Sequence, residues 1–433
     1  MPDRRRPVLA ALRGALLPAV AALFGAAVSA AALSATAVAA PPAHQLGRPP
    51  AAGHPPRGHT RPPAPIYDAP AQALLPGPAM LPPPALPQVA SYVLMDATTG
   101  TVIAAKAPDL HWAPASLAKL MVADLTYRAI AAGRLGADRT LVASATAWRT
   151  GGSRMFLKPG QTVTVPQLLA GLIIDSGNDA AVVLAQTVGG SRADFVTMMN
   201  QQAAKLGLRN THYTNVTGLP DPAMYTTARD VALLSRAIID RYPAYLKISV
   251  RRHDSFNNIR QRSWNPVLFR DPTVDGLKTG RTDAAGHCID ATALRNGRRL
   301  IAVELGAPSW AAGTKAIEAL LGYGYQFSAN TTVATAGHPL GTLTDPRTEP
   351  QTVPVGAGRS LAMTLPVAAA RTLTTRLVLD PAPKGGIARG AVVGQVVISA
   401  GGASLASLPA VALAPAHPAG FLTLLLRRVR SIL

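Results

Sequence analysis

The sequence predicts an α+β fold followed by a small all-β domain, and three observations lead there. Short β-suited runs at residues 92–95 and 101–105, joined by the turn Asp96-Ala97-Thr98-Thr99-Gly100, have counterparts far down the chain at 274–278, 288–294 and 299–305. Between the two groups, residues 168–174, 180–187, 195–206 and 228–239 carry apolar residues at helical spacing. Strands at both ends with helices between them describe one sheet closed by distant segments, with a helical insert and a further helix at 314–321. Third, residues 340–415 have no long helical period but hold β-suited runs at 361–367, 374–379 and 392–398, bounded by Gly and Pro.

Taken in order, residues 1–39 read as an export signal. Arg4, Arg5, Arg6 and Arg13 precede an apolar run over 15–33, and Ala37-Val38-Ala39 is a small-x-small cleavage site. An uncleaved membrane anchor is the alternative, because the run approaches bilayer-spanning length. Both place the remainder of the chain outside the cytoplasm. Residues 40–88 are rich in Pro, Ala and Gly, so they cannot bury enough surface to offset their ordering entropy and form an extended, disordered spacer. Its histidines, His44, His54 and His59, are assigned no function. The α+β domain is then expected over 89–330, the β-rich domain over 335–415 and an amphipathic helix over 419–433.

Composition narrows the function. At 433 residues, 48% hydrophobic and 15% charged, most of the chain should fold. The net charge of +20 would suit an anionic partner, but scattered arginines and only 5% aromatic residues argue against nucleic acid. The single cysteine, Cys288, excludes an internal disulfide and a cysteine metal cluster, and it reads as a small buried filler.

Three short motifs carry chemistry. In Trp112-Ala113-Pro114-Ala115-Ser116-Leu117-Ala118-Lys119-Leu120, Ser116 and Lys119 stand nearly one helical turn apart at the start of an apolar helical run. A lysine whose pKa is lowered by burial can take the proton of a serine hydroxyl and make it a nucleophile. Asp175-Ser176-Gly177-Asn178-Asp179 lies between two helical runs, as a loop at the surface or cleft, where Ser176 can relay a proton and the Asn178 amide can orient a lysine and a substrate carbonyl. Lys278-Thr279-Gly280 falls on or just after a strand. An edge strand there can pair with an extended peptide, Lys278 supplies positive charge, Thr279 can hold a carboxylate, and Gly280 lets the substrate backbone approach.

Together, and in this order, the motifs resemble those of the serine penicillin-binding proteins and class A β-lactamases, with Ser-Gly-Asn in place of Ser-Asp-Asn. The runs Gly152-Ser153-Arg154-Met155-Phe156-Leu157, Tyr225-Thr226-Thr227-Ala228-Arg229-Asp230, Phe256-Asn257-Asn258 and Val274-Asp275-Gly276-Leu277-Lys278-Thr279-Gly280-Arg281-Thr282-Asp283 narrow the resemblance to the low-molecular-mass penicillin-binding proteins, which are D-alanyl-D-alanine carboxypeptidases. The resemblance is strong over about 88–325 and weaker to about 415. It implies a β-lactamase/transpeptidase-like domain, with an antiparallel sheet flanked by helices, and then a small β domain.

The resemblance also implies roles. Ser116 would attack the carbonyl between two terminal D-alanines of a peptidoglycan stem peptide, Lys119 would take its proton, and the N–H groups of Ser116 and Arg281 would form the oxyanion hole. Ser176 and Lys278 would carry a proton to the leaving D-alanine while Thr279 holds its carboxylate, without metal or cofactor. β-Lactam antibiotics would acylate Ser116. The chain has no glutamate before Glu304, so the water-activating residue of a class A β-lactamase is missing and the acyl group should be long-lived. A D-alanyl cross-link endopeptidase and a non-catalytic wall-peptide sensor are the alternatives. Where the family places arginines near the carboxylate, this chain holds Trp264 and Gly313, and Arg281 is expected to supply the missing charge. Finally, a helix at the C-terminus would set Phe421, Leu425, Leu426, Val429, Ile432 and Leu433 on one side, opposite Arg427 and Arg430. It is too short to span a bilayer and suits an anionic membrane surface, as the resemblance also implies, with packing on the core as the alternative. The expected location is the periplasm or the outer face of a bacterial cytoplasmic membrane.

Overall fold

A computed structural model describes residues 82–430. The expected export signal and the spacer up to residue 81 lie outside the described residues, as do Ile432 and Leu433 of the terminal helix. Packing begins slightly earlier than Val89: Leu86 is buried, and Lys106 Nζ donates to the carbonyls of Leu86 (3.1 Å) and Val89.

Five β-suited runs form one antiparallel sheet. Its strands are β1 (Ser91–Asp96), β2 (Val102–Lys106), β3 (Val274–Thr282), β4 (Gly286–Arg295) and β5 (Arg298–Ala307), in the order β2-β1-β5-β4-β3. The distant segments meet as β1 beside β5, as the pattern of strands at both ends predicts. β3 is an edge strand, so its outer backbone groups are free of ladder partners.

The helical insert covers one face of the sheet. It comprises α1 (Lys119–Ala131), α2 (Val165–Ile173), α3 (Asn178–Gly189), α4 (Arg192–Lys205) and α5 (Ala228–Arg241). α1 is the central helix: Lys119 to Tyr127 are all buried, which requires a helix apolar almost all round. α2 begins with a full capping box between Thr164 and Gln167 and a proline in its first turn, and α5 begins where the Thr227 hydroxyl accepts from the Asp230 N–H. Two short hairpins, Thr140–Val142 with Thr162–Thr164 and His253–Phe256 with Ile259–Arg262, were not foreseen, because three or four residues are too few to establish a period. On the opposite face, α6 (Trp310–Phe327) packs Ile317, Leu320 and Leu321 over Leu94, Ile289 and Leu300.

The β-rich region is a five-stranded antiparallel sheet in the spatial order Pro339–Thr344, Thr352–Ala357, Ala403–Ala412, Val392–Ala400, Leu373–Leu379, around Val353, Val355, Val396, Ile398 and Leu408. A separate pair, Ser328–Ala334 with Leu361–Pro366, connects it to α6. The junction with the first domain centres on Asp96, which is fully buried. Its carboxylate accepts from Arg298 Nε (2.9 Å), Asn330 Nδ2 (3.0 Å) and the Thr98 and Thr99 N–H groups, and Thr99 and Thr364 share a hydroxyl hydrogen bond of 2.6 Å.

The terminal helix α7 (Phe421–Arg430) has no buried residue, so it is not part of the core. Arg427 donates to the carbonyls of Pro346 (2.8 Å) and Thr348 (2.9 Å), which ties its polar side to the β domain. Phe421, Leu422, Leu425, Leu426 and Val429 are exposed. Among the described residues no helix is long and apolar enough to cross a membrane.

Removing one partner of a buried ion pair strands the other charge, at a cost of about 3–5 kcal/mol. Asp96→Ala is therefore expected to lower unfolding stability by that amount in urea titrations, with earlier loss of protease resistance at the junction near Ser328.

Candidate active site

The cleft is built where three buried segments converge. Ser116 sits in the 3-10 turn Ala115–Ala118, which runs directly into α1, and Lys119 is the first residue of that helix. Lys119 Nζ lies 2.7 Å from Ser116 Oγ, 3.0 Å from the Thr217 carbonyl and 3.5 Å from Ser176 Oγ. Lys278 Nζ on β3 is 2.9 Å from the same Ser176 hydroxyl and donates to the Thr279 carbonyl at 3.0 Å. Ser116, Lys119, Ser176 and Lys278 thus form one continuous hydrogen-bonded chain.

The turn that presents Ser116 is held tightly. Ala115 adopts a positive φ of 46°, a conformation that costs energy for a residue with a Cβ. The neighbouring loop approaches it through Gly218, whose φ is +79° and where a Cβ would stand 1.7 Å from the Ala115 carbonyl oxygen. The Asn215 side chain shapes that loop by accepting from the N–H groups of Thr217 (3.1 Å) and Gly218 (2.8 Å). From the other side comes Gly280. A Cβ there would meet the Pro114 carbonyl and the Ser116 nitrogen, each at 3.1 Å, so this glycine lets β3 pack against the serine turn.

The Ser-Gly-Asn segment was expected as a loop at the surface or cleft, and it forms the buried floor of the cleft. Asp175, Ser176, Asn178 and Asp179 are all buried, and Ser176 has a positive φ of 58°. Asp179 anchors the segment by accepting from the N–H groups of Met155 (3.0 Å) and Leu157 (3.1 Å), and Ser153 Oγ donates to the Ser176 carbonyl at 2.6 Å. Asn178 contacts neither lysine through a hydrogen bond: its Nδ2 donates to the Gly151 carbonyl at 2.6 Å, and its buried Oδ1 has no partner. Thr279 is buried beside Lys278. Arg281 is the exposed member, its side chain 58% accessible and 3.7 Å from Asp283. Trp264 is half exposed, whereas Gly313 is a buried residue in the first turn of α6, where a Cβ would lie 2.5 Å from buried Glu304 Oε1. No larger residue fits at 313 without displacing that carboxyl. Cys288 is fully buried, as expected for a filler, and burial pushes its thiol pKa up.

Electrostatics follow from this enclosure. Burial, and then the neighbouring Lys278, hold Lys119 well below the usual lysine range, with Asp179 opposing. Burial brings Lys278 down to about 7, against the pull of Asp175 and Asp290. Sequence reasoning missed Thr217, whose backbone carbonyl no residue type can signal, and Asp290, which reaches the site only through the pairing of β3 with β4.

Comparison with known proteins agrees with this geometry. A family model described as D-alanyl-D-alanine carboxypeptidase matches residues 82–309. The D-alanyl-D-alanine carboxypeptidase DacD of Salmonella typhimurium is 38% identical over 306 residues, 69% of this chain and 78% of that protein. DacC of Escherichia coli, of the same description, is 35% identical over 342 residues, covering 76% of this chain and 85% of the relative. Among solved structures, penicillin binding protein 5 from Haemophilus influenzae superposes with a TM-score of 0.71 at 31% identity, over 78% of this chain and 100% of that one. Penicillin-binding protein D2 from Listeria monocytogenes, in its ampicillin-bound form, gives a TM-score of 0.51 at 30% identity, over 55% of this chain and 98% of the other. The sheet with its helical insert, the order of the three motifs and the extent of these matches converge on one conclusion, that this chain belongs to the D-alanyl-D-alanine carboxypeptidases and is a serine-type hydrolase of that family.

Proposed function

We propose that Ser116 is the nucleophile of this carboxypeptidase and Lys119 its general base, acting on peptidoglycan stem peptides that end in D-Ala-D-Ala. The observation that carries this reading is the buried chain from Ser116 Oγ through Lys119 Nζ and Ser176 Oγ to Lys278 Nζ. A lysine held below its usual range can be a free amine near neutrality, able to accept the Ser116 proton as Oγ bonds to the carbonyl carbon. The oxyanion is received by the N–H groups of Ser116 and Arg281. The C–N bond then breaks, and the nitrogen of the departing D-alanine takes a proton through Ser176, with Lys278 as its donor. Water attacks the acyl carbonyl and its proton passes through Ser176 to restore the Lys278 ammonium; the ester C–O bond then breaks, Ser116 takes back the proton held by Lys119, and the peptide leaves one residue shorter.

In this reading Lys278, Thr279 and Arg281 receive the terminal carboxylate, Gly280 keeps β3 against the serine turn, and Asn178 acts through the loop at Gly151. Edge strand β3 offers the backbone groups along which the peptide lies. Penicillins enter the same path and stay as acyl groups on Ser116, since the motif region has no glutamate to activate the clearing water. Such a substrate places the enzyme outside the cytoplasm, in the periplasm or on the outer face of the membrane, in keeping with the signal read over 1–39. α7 then rests on anionic headgroups: its polar side is tied to the β domain through Arg427, and its exposed apolar side is turned outward.

Ser116→Ala should reduce D-alanine release from a tripeptide ending in D-Ala-D-Ala by roughly 10⁴-fold or more and abolish the penicilloyl adduct in intact-mass spectra. Release by the wild-type enzyme with an adduct still forming on the variant would rule out this nucleophile. The pH profile should rise as Lys119 loses its proton and fall as Lys278, brought down to about 7 by burial, loses its charge. For α7, co-sedimentation with phosphatidylglycerol vesicles should be lost on deleting residues 420–433 and weakened by salt, while turnover of soluble tripeptide stays unchanged. Equal vesicle binding by the truncated enzyme would refute the surface role.

A further inference from the structure

Two acids act on Lys278 electrostatically: Asp290, which none of the three motifs contains, and Asp175, the first residue of the Ser176 segment. Asp290 on β4 stands directly opposite Lys278 in the ladder, and opposite residues of an antiparallel pair project to the same face. That face is the one covered by the insert, because Ser235 of α5 donates to Asp290 Oδ2 at 2.6 Å. Asp290 is fully buried and its Oδ1 has no hydrogen-bond partner. Asp175 lies on the loop that carries Ser176 and is likewise buried with Oδ1 unpartnered. A buried carboxyl is tolerated when a compensating charge or donor lies close by, and a buried ammonium needs the same. Each acid has an unused oxygen, and Lys278 has two of its three hydrogens committed to Ser176 and the Thr279 carbonyl.

We propose that Asp290, with Asp175 in support, is a positioning residue that holds Lys278 as an ammonium against Ser176, so that the cleft keeps a positive charge where the peptide's terminal carboxylate is received. The inference rests on the placing of Lys278 in the substrate path above. The other groups facing this cluster are Lys119 from α1, Asp179 from α3, Tyr245 from the short helix Ala244–Ser249, and Asp254 of the second hairpin paired with Arg251 just before it. Burial brings Lys278 down to about 7 and pushes Asp175 and Asp290 each up to about 7, with the lysine and the acids drawing one another towards the charged pair. Removing a carboxylate beside a lysine favours the neutral amine, so Lys278 would lose its proton at lower pH.

The test is Asp290→Asn, which keeps the side-chain size and an acceptor for Ser235. The alkaline limb of kcat/KM for a D-Ala-D-Ala tripeptide is expected to move down by about one pH unit, with about a ten-fold loss at pH 8 carried mainly by KM. The second-order rate of acylation by a fluorescent penicillin, which also bears a carboxylate, should move with it, and Tm should change little. Asp175→Asn should shift the limb the same way by a smaller amount. If Asp290→Asn fails to fold, Ser235→Ala supplies the same readout, because losing the donor disfavours the Asp290 carboxylate. An unmoved limb in the folded variants, with activity lowered evenly across pH, would overturn the inference. Lys278→Ala separates this outcome from failure of the underlying assignment: full activity in that variant removes Lys278 from the substrate path, whereas an impaired Lys278→Ala beside an unmoved limb rejects the role of Asp290 alone.

Discussion

An amine withdrawn from water keeps its proton only if something nearby compensates the lost hydration, and in this cleft two amines converge on a single serine hydroxyl. Their mutual repulsion and their burial act in the same direction, so the pair cannot easily hold two charges. The surroundings divide the outcome. Lys119, next to Ser116, is surrounded by a hydroxyl and the Thr217 carbonyl, with only Asp179 to draw a charge onto it. Lys278 has two carboxyls, Asp175 and Asp290, that draw a charge onto it. In the proposed mechanism, environment alone would make a base and a cation from the same residue type.

The rest of the domain keeps those two environments a few ångströms apart. The strained turn at Ala115 is clamped between Gly218 and Gly280, at distances that leave no space for a methyl group at Gly218 and little at Gly280. Asp179 ties the floor of the cleft to the Met155 and Leu157 backbone. Beneath them α1, buried almost all round, carries Lys119 into the core. Displacement of any one segment by an ångström would break the hydrogen-bonded chain, because its link from Lys119 to Ser176 is already at 3.5 Å, the long end of hydrogen-bond reach.

How much of this could be read beforehand depended on what each feature is made of. Side-chain identity and spacing announced Ser116, Lys119, Ser176 and Lys278, and the distribution of strand-like and helix-like runs announced a sheet closed by distant segments. The short hairpins at Thr140–Val142 and His253–Phe256 escaped because they are too short to show a period. Thr217 contributes a backbone carbonyl, which every residue has. Asp290 looked like an ordinary strand residue until the register set it opposite Lys278. At Gly280 the packing of β3 adds a neighbour that spacing could not show: the atoms pressing on it belong to the serine turn. Asn178 was expected to point its amide at the chemistry, but the Gly151 carbonyl claims the nitrogen instead.

The Asp96 junction has a consequence for where this enzyme can work. Its carboxylate is saturated by Arg298, Asn330 and two backbone N–H groups, so the β domain is bolted to the first domain rather than hinged on it. At the far end of the β domain, Arg427 fastens α7 to the same body. Were α7 to lie on a membrane as proposed, the cleft would stand at a fixed height above the lipid, like a tool on a rigid arm. Which strands of the wall it could trim would then be decided by the length of that arm, and a stem peptide beyond its span would keep its terminal residue however well it matched the cleft.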